Sequence, residues 1–114
     1  MERDKEVRWV GSAYEDLLDF PDEARRQAGF QLGKVQAGLE PDDWKPFDDV
    51  GAGTREIRIR EASGAFRVMY VAKFEEAVYV LHCFQKKTQA TSRQDKGIAE
   101  TRYQAVVGTR KVRK

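Results

Sequence analysis

The 114-residue chain has one cysteine, Cys83, and one histidine, His82. A single thiol cannot close an internal disulfide, and one thiol with one imidazole cannot make the ligand cluster of a structural zinc site. No apolar run approaches the ~20 residues that a membrane-spanning helix needs. The first residues, Met1 to Glu6, are mostly charged and lack the apolar stretch of a secretory signal. These absences predict a cytoplasmic protein with no metal, no cofactor and no membrane association. No repeat, low-complexity tract or Gly/Ser linker divides the sequence, so residues 1–114 are expected to form one domain.

With 40% hydrophobic residues there is enough apolar material for one core, and 35% charged residues describe a polar surface. A net charge of +2 hides an uneven distribution. Residues 1–50 carry 7 basic and 13 acidic side chains, a balance of −6. Residues 86–114 carry 9 basic side chains against Asp95 and Glu100, a balance of +7. Clustered Lys and Arg gain affinity for polyanions by displacing phosphate counterions, so the basic half predicts a nucleic-acid partner. Residues 108–114 read as a solvated basic tail.

Glu6 to Val10 alternates charged and apolar residues, the period of a half-buried strand. Ser12-Ala13-Tyr14-Glu15 has the form of a capping box and leads into a short helix through Leu17, Leu18 and Phe20. Pro21 suits the first turn of a second helix, whose buried face is predicted to be Ala24, Ala28, Leu32, Val35 and Leu39, with Gly38 and Pro41 at its exit. Residues 40–54, with two prolines, two glycines and several aspartates, read as the longest loop. Arg55 to Glu61, Ala65 to Phe74 and Ala77 to Phe84 read as three consecutive antiparallel strands, and Arg93 to Val107 as a final helix. The order describes an α+β domain in which helices cover one face of a sheet.

Arg58 and Arg60 stand two apart in one strand and therefore share a face, opposite Ile57 and Ile59. Arg67 interrupts the apolar run Phe66 to Tyr70, and a half-buried guanidinium needs an anion, supplied by Glu56 or by a ligand. Lys86 and Lys87 follow at the end of the last strand. A convergent set of this kind suits a phosphate, which Arg grips as a fork and Lys as a point charge. Tyr70 or Tyr103 is a candidate to stack on an unpaired base. His82, Tyr70 and Glu56 are the candidates to carry a proton. His82, among Leu81, Cys83 and Phe84, also reads as a hydrogen-bonded core histidine, and Cys83 as a small buried hydrophobe. Trp9 and Trp44 read as packing or partner-contact residues.

The runs Thr54-Arg55-Glu56-Ile57-Arg58-Ile59-Arg60, Gly64-Ala65-Phe66-Arg67-Val68-Met69-Tyr70 and Leu81 to Gln89, with Phe30-Gln31-Leu32 in the helical hairpin, resemble the phage-related HigB branch of the RelE/ParE toxin superfamily. The resemblance implies a RelE-like fold and the toxin of a type II toxin-antitoxin pair. Such a toxin enters the ribosomal A site and cleaves messenger RNA without a metal, and a helix-turn-helix antitoxin holds it inactive. Operator DNA is reached only through the antitoxin complex. The resemblance carries over Arg67, Arg58, Arg60, Lys87 and Lys86; with Tyr70 and His82 added as proton carriers, the candidate catalytic residues are Arg67, Lys87, Tyr70 and His82, and the candidate RNA-binding residues are Arg58, Arg60, Lys86 and Arg93. The chain departs from RelE where that toxin has a C-terminal tyrosine, near Arg93, and at one basic strand position, occupied by Glu56. Two alternatives share the scaffold: a ParE-like inhibitor of DNA gyrase, and a non-catalytic protein that binds nucleic acid or antitoxin.

Overall fold

The structure, a computed structural model, describes residues 4–112. Strand β1 (Glu6–Trp9) is followed by helices α1 (Ala13–Leu18) and α2 (Asp22–Gln36). Strands β2 (Trp44–Pro46), β3 (Thr54–Glu61), β4 (Gly64–Val71) and β5 (Ala77–Lys86) come next, and helix α3 (Arg93–Val112) ends the described chain. The five strands lie in the order β1-β5-β4-β3-β2, with β1 parallel to β5 and the other neighbours antiparallel. This is the α+β class expected from the sequence, but helices cover both faces of the sheet rather than one, because β4 and β5 are apolar on both sides.

Each face of the sheet builds its own core. Ile57, Ile59, Phe66, Val68, Tyr70, Val78, Val80 and Cys83 pack against Ala13, Leu17, Ala24, Ala28, Leu32 and Val35 of the helical hairpin. Met69, Val71, Ala77, Tyr79, Leu81 and Phe84 pack against Ala99, Tyr103 and Val106 of α3. Because β4 and β5 serve both cores, their sequences are nearly continuous apolar runs, whereas β3 alternates, with Ile57 and Ile59 in the hairpin-side core alone. Two strand positions break that rule with full burial of charge, Glu56 on β3 and Arg67 on β4.

α3 covers only part of its face. Arg102 donates to the Leu81 carbonyl at 2.9 Å and to Ser12 Oγ at 3.0 Å, and Arg110 pairs with Glu76 in the β4–β5 turn. Tyr103 reaches the preceding loop, donating to the Ala52 carbonyl at 2.7 Å, while its ring lies flat against Gly51. A Cβ at Gly51 would come within 2.4 Å of that ring, so only glycine permits the approach.

Four local expectations are corrected. Ser12 forms no capping hydrogen bond; its hydroxyl donates to the Asp16 carboxylate at 3.0 Å and accepts from Arg102 of α3, so side chains take the place of the backbone amide. Leu39 is 59% exposed, because Gly38 at φ 85° turns the chain off the helix before the apolar period reaches it. The segment read as one long loop contains strand β2, which pairs with β3 through Trp44 opposite Ile57 and Lys45 opposite Glu56. α3 runs past Val107 through Val112, so most of the expected tail is helical; Arg113 and Lys114 lie outside the described residues.

Candidate functional site: a cationic depression beyond the reach of α3

Strand register explains the site. On the α3 face, three cross-strand rows lie two residues apart. Lys45, Glu56, Met69 and His82 form the first, Arg58, Arg67 and Phe84 the second, and Arg60, Ala65 and Lys86 the third. α3 seals the sheet around Met69 and Phe84, and the rows beyond remain open. The small Ala65 between Arg60 and Lys86 leaves a depression of about 590 Å³, lined also by Arg67, Lys87, Thr88 and Gln89. Four of its seven lining residues are cationic, and none is acidic.

Arg58 and Arg67 are direct cross-strand partners. Like charges placed opposite each other weaken a sheet unless anions intervene. Two carboxylates are present. Arg67 Nε lies 3.6 Å from Glu56 Oε1, with side-chain exposures of 4% and 0%, and Arg58 Nε lies 3.9 Å from Asp43. Lys45 also approaches Glu56, at 3.9 Å, and the Thr91 hydroxyl donates to it at 3.4 Å. Arg67 spends one guanidinium N–H on the Phe66 carbonyl, at 3.0 Å.

The neutralisation is incomplete. Arg67 Nε, Arg58 Nε and Glu56 Oε1 are buried, and none has a hydrogen-bond partner. Burial is the first cause that pulls the Arg67 guanidinium below its ordinary value, opposed by Glu56 and reinforced by Arg58 and Arg60. Lys86 is lowered too, by desolvation and then by the positive charge of Arg67. Both shifts reflect burial first and like-charge crowding second, and an incoming anion relieves the crowding.

Of the residues predicted from sequence, Arg60, Arg67, Lys86 and Lys87 line the depression, and Arg58 stands beside Arg67 in the second row. Tyr70 is a correction: three residues from Arg67 on one strand, it alternates with Phe66 and Val68 onto the opposite face, in the core under α2, so its phenol does not share a pocket with Arg67. His82 is on the α3 face but is set apart by its neighbours. Its Nε2 lies 2.8 Å from Asp95 of α3, its ring stacks on Phe84 at 5.0 Å, and Met69 stands between it and Glu56. Arg93 opens α3 and lines a separate hollow with Gly97, Ile98 and Thr101. Tyr103 is buried against Gly51, which removes it as a base-stacking platform. Cys83 is buried, and desolvation pushes its thiol far above the ordinary value, as for an inert core residue.

Sequence reasoning missed Lys45, because it sits in a segment whose prolines and aspartates read as loop. The alternation of Trp44 and Lys45 was available as a signal but was too short to act on. Among the described residues, no group of His, Cys, Asp or Glu is arranged to hold a metal, and no helix is long and apolar enough to cross a membrane.

Comparison with known proteins finds a family and solved structures. The family described as "Phage derived protein Gp49-like" matches residues 15–104. Among solved structures, a chain of the toxin-antitoxin complex RelBE2 from Mycobacterium tuberculosis superposes with a TM-score of 0.53 at 24% identity, covering 73% of this chain and 99% of that one. No curated protein matches.

Proposed function

This chain is a member of the Gp49-like family of phage-derived proteins, with the RelE-like fold, and we propose that it is the toxin of a toxin-antitoxin pair, an endoribonuclease that cleaves messenger RNA on the ribosome. The observation that carries the reading is the set of buried, unpartnered polar atoms on Arg58, Arg67 and Glu56 beside a depression lined by Arg60, Lys86 and Lys87. An RNA phosphate supplies acceptors for the two guanidinium groups.

In the proposed reaction the ribose 2′-oxygen bonds to the adjacent phosphorus and the bond to the 5′-oxygen breaks. This leaves a 2′,3′-cyclic phosphate and a free 5′-hydroxyl. The 2′-hydroxyl proton needs an acceptor and the departing oxygen a donor. Glu56 is the carboxylate within the cluster and the candidate acceptor, and solvent water in the open depression supplies the proton that the departing 5′-oxygen takes up. Arg67 and Lys87 stabilise charge on the five-coordinate phosphorus, and Arg58, Arg60 and Lys86 hold the strand. This chemistry takes its nucleophile from the substrate, so the scheme calls for no metal. An antitoxin of helix-turn-helix type is the proposed partner, with operator DNA bound through that complex, and the cytoplasm is the proposed compartment.

The test is induction of the gene alone, followed by mapping of transcript 5′ ends. Growth arrest with new 5′-hydroxyl ends inside translated codons is the expected result. Arrest with intact messenger and broken DNA would instead establish the gyrase-directed alternative, and absence of arrest would establish a non-catalytic binding protein.

A further inference from the structure

The opposite side of the sheet holds a second cleft, about 520 Å³ in volume, between the C-terminal end of α2 and strands β3 and β4. Tyr70 lines it. That residue is fully buried; its hydroxyl sits beside the Arg55 guanidinium without a well-formed hydrogen bond, and its own proton has no acceptor. Buried hydroxyls are almost always paired, so an unpaired one that lines a cleft points to a ligand as its partner.

The surroundings favour an anion. Arg55, the cross-strand neighbour of Tyr70, stacks its guanidinium on Trp44 at 4.1 Å and reaches Glu40 only at 3.9 Å, which leaves N–H groups to spare. Lys5 donates to the carbonyls of Ala72 and Phe74 at 2.6 and 2.8 Å, acceptors that leave its charge uncompensated. Helix carbonyls that would repel an anion are already engaged. Gln36 O accepts from Lys5 N at 3.0 Å, Val35 O from Gly38 N at 3.0 Å, and Lys34 O from Leu39 N at 2.9 Å. Lys5, Arg55 and Lys73 line the cleft against one carboxylate, Glu40. Val35, Ala72 and the exposed Leu39 add an apolar wall.

We propose that this cleft binds a carboxylate carried on a small apolar body. Tyr70 Oη donates to one carboxylate oxygen and Arg55 to the other, while Leu39 and Val35 cover the apolar part. A single hydroxyl with a single guanidinium satisfies two oxygens, and the nearby Glu40 disfavours a more highly charged group such as phosphate. The site faces away from the cationic depression and stands independently of the RNA reading. A free short-chain acid and a glutamate side chain on another protein present the same group.

The experiment is amide NMR of the full chain titrated with sodium butyrate at constant ionic strength, with chloride as the control. A blocked peptide bearing one glutamate is titrated in parallel with its glutamine counterpart. Saturable shifts at Gly38, Leu39, Arg55 and Tyr70, with Lys86 and Lys87 unmoved, are expected. Tyr70→Phe should weaken binding about ten-fold, the scale of a hydrogen bond to a charged acceptor. Tighter binding of butyrate assigns a free acid, and tighter binding of the glutamate peptide assigns a protein-borne one. Should Tyr70→Phe misfold, Arg55→Gln, at a side chain 39% exposed, replaces it. Shifts that do not saturate, that chloride reproduces, or that the folded variant leaves unchanged in affinity would overturn the proposal.

Discussion

Arg67 and Glu56 face each other from adjacent strands with Nε 3.6 Å from Oε1, and neither atom makes a hydrogen bond. The pair is a buried approach of opposite charges without the geometry that makes such pairs strong. Desolvation of two ions is repaid only when their remaining hydrogen-bonding capacity is satisfied. Within the RNA reading, a substrate phosphate completes the coordination of Arg67, and relief of that unsatisfied charge becomes affinity.

Removing one partner leaves the other buried and uncompensated. Arg67→Ala should therefore lower unfolding free energy by roughly 3–5 kcal/mol while also abolishing cleavage. The double variant Glu56→Gln with Arg67→Gln removes both charges and should recover most of that stability with no recovery of cleavage. Urea unfolding alongside a translation-extract cleavage assay separates the two effects. Cleavage at the natural rate by a folded double variant would remove both residues from the chemistry.

Lys86 and Lys87 stand at the end of β5, and Lys87 is exposed, so their replacement should leave the fold intact. Lys86→Gln with Lys87→Gln should weaken binding of a single-stranded RNA oligonucleotide. The slope of log affinity against log salt should flatten by about 0.7 for each phosphate that is no longer neutralised. Fluorescence anisotropy across a salt series measures both, and an unchanged slope would mean that these lysines do not touch the RNA backbone.

Gly51 touches the Tyr103 ring where a methyl group would fall 2.4 Å from carbon. Gly51→Ala should destabilise the protein by about 1–3 kcal/mol, the usual range for overpacking, with RNA binding preserved. Thermal unfolding reads the loss. Tyr103→Leu in the same background should restore part of it.

Glu76 accepts from Tyr79 at 2.8 Å and pairs with Arg110, whose guanidinium holds its carboxyl at about 2, against an ordinary value of 4.5. A carboxyl lowered by folding stabilises the native state above its unfolded value and loses that contribution as pH falls through the folded one. The tie between α3 and the β4–β5 turn should thus weaken from pH 4.5 down to about 2. Amide exchange near the C-terminal end of α3 should rise over that interval. In Glu76→Gln this part of the pH dependence should vanish.

Much of the fold was legible because its signals are local. Alternation marked β1, the apolar period marked α2, and turn residues separated β3, β4 and β5. β2 escaped because a three-residue edge strand has no period of its own; its pairing with β3 defines it. The site divided in the same way. Arg58, Arg60 and Arg67 were recognisable as charges set into strands, whereas Tyr70 and His82 stood equally close in sequence yet joined other surroundings.

The order of residues alone determined that Ile57 and Ile59 would be buried on one face of β3 while Glu56, Arg58 and Arg60 shared the other, since side chains along a strand alternate. Only the assembled sheet decided that Glu56 would meet Arg67 and that Ala65 would leave space between Arg60 and Lys86. Those outcomes depend on cross-strand register and on where α3 stops covering the sheet. Both are set by packing between residues far apart in the chain, which no local pattern records.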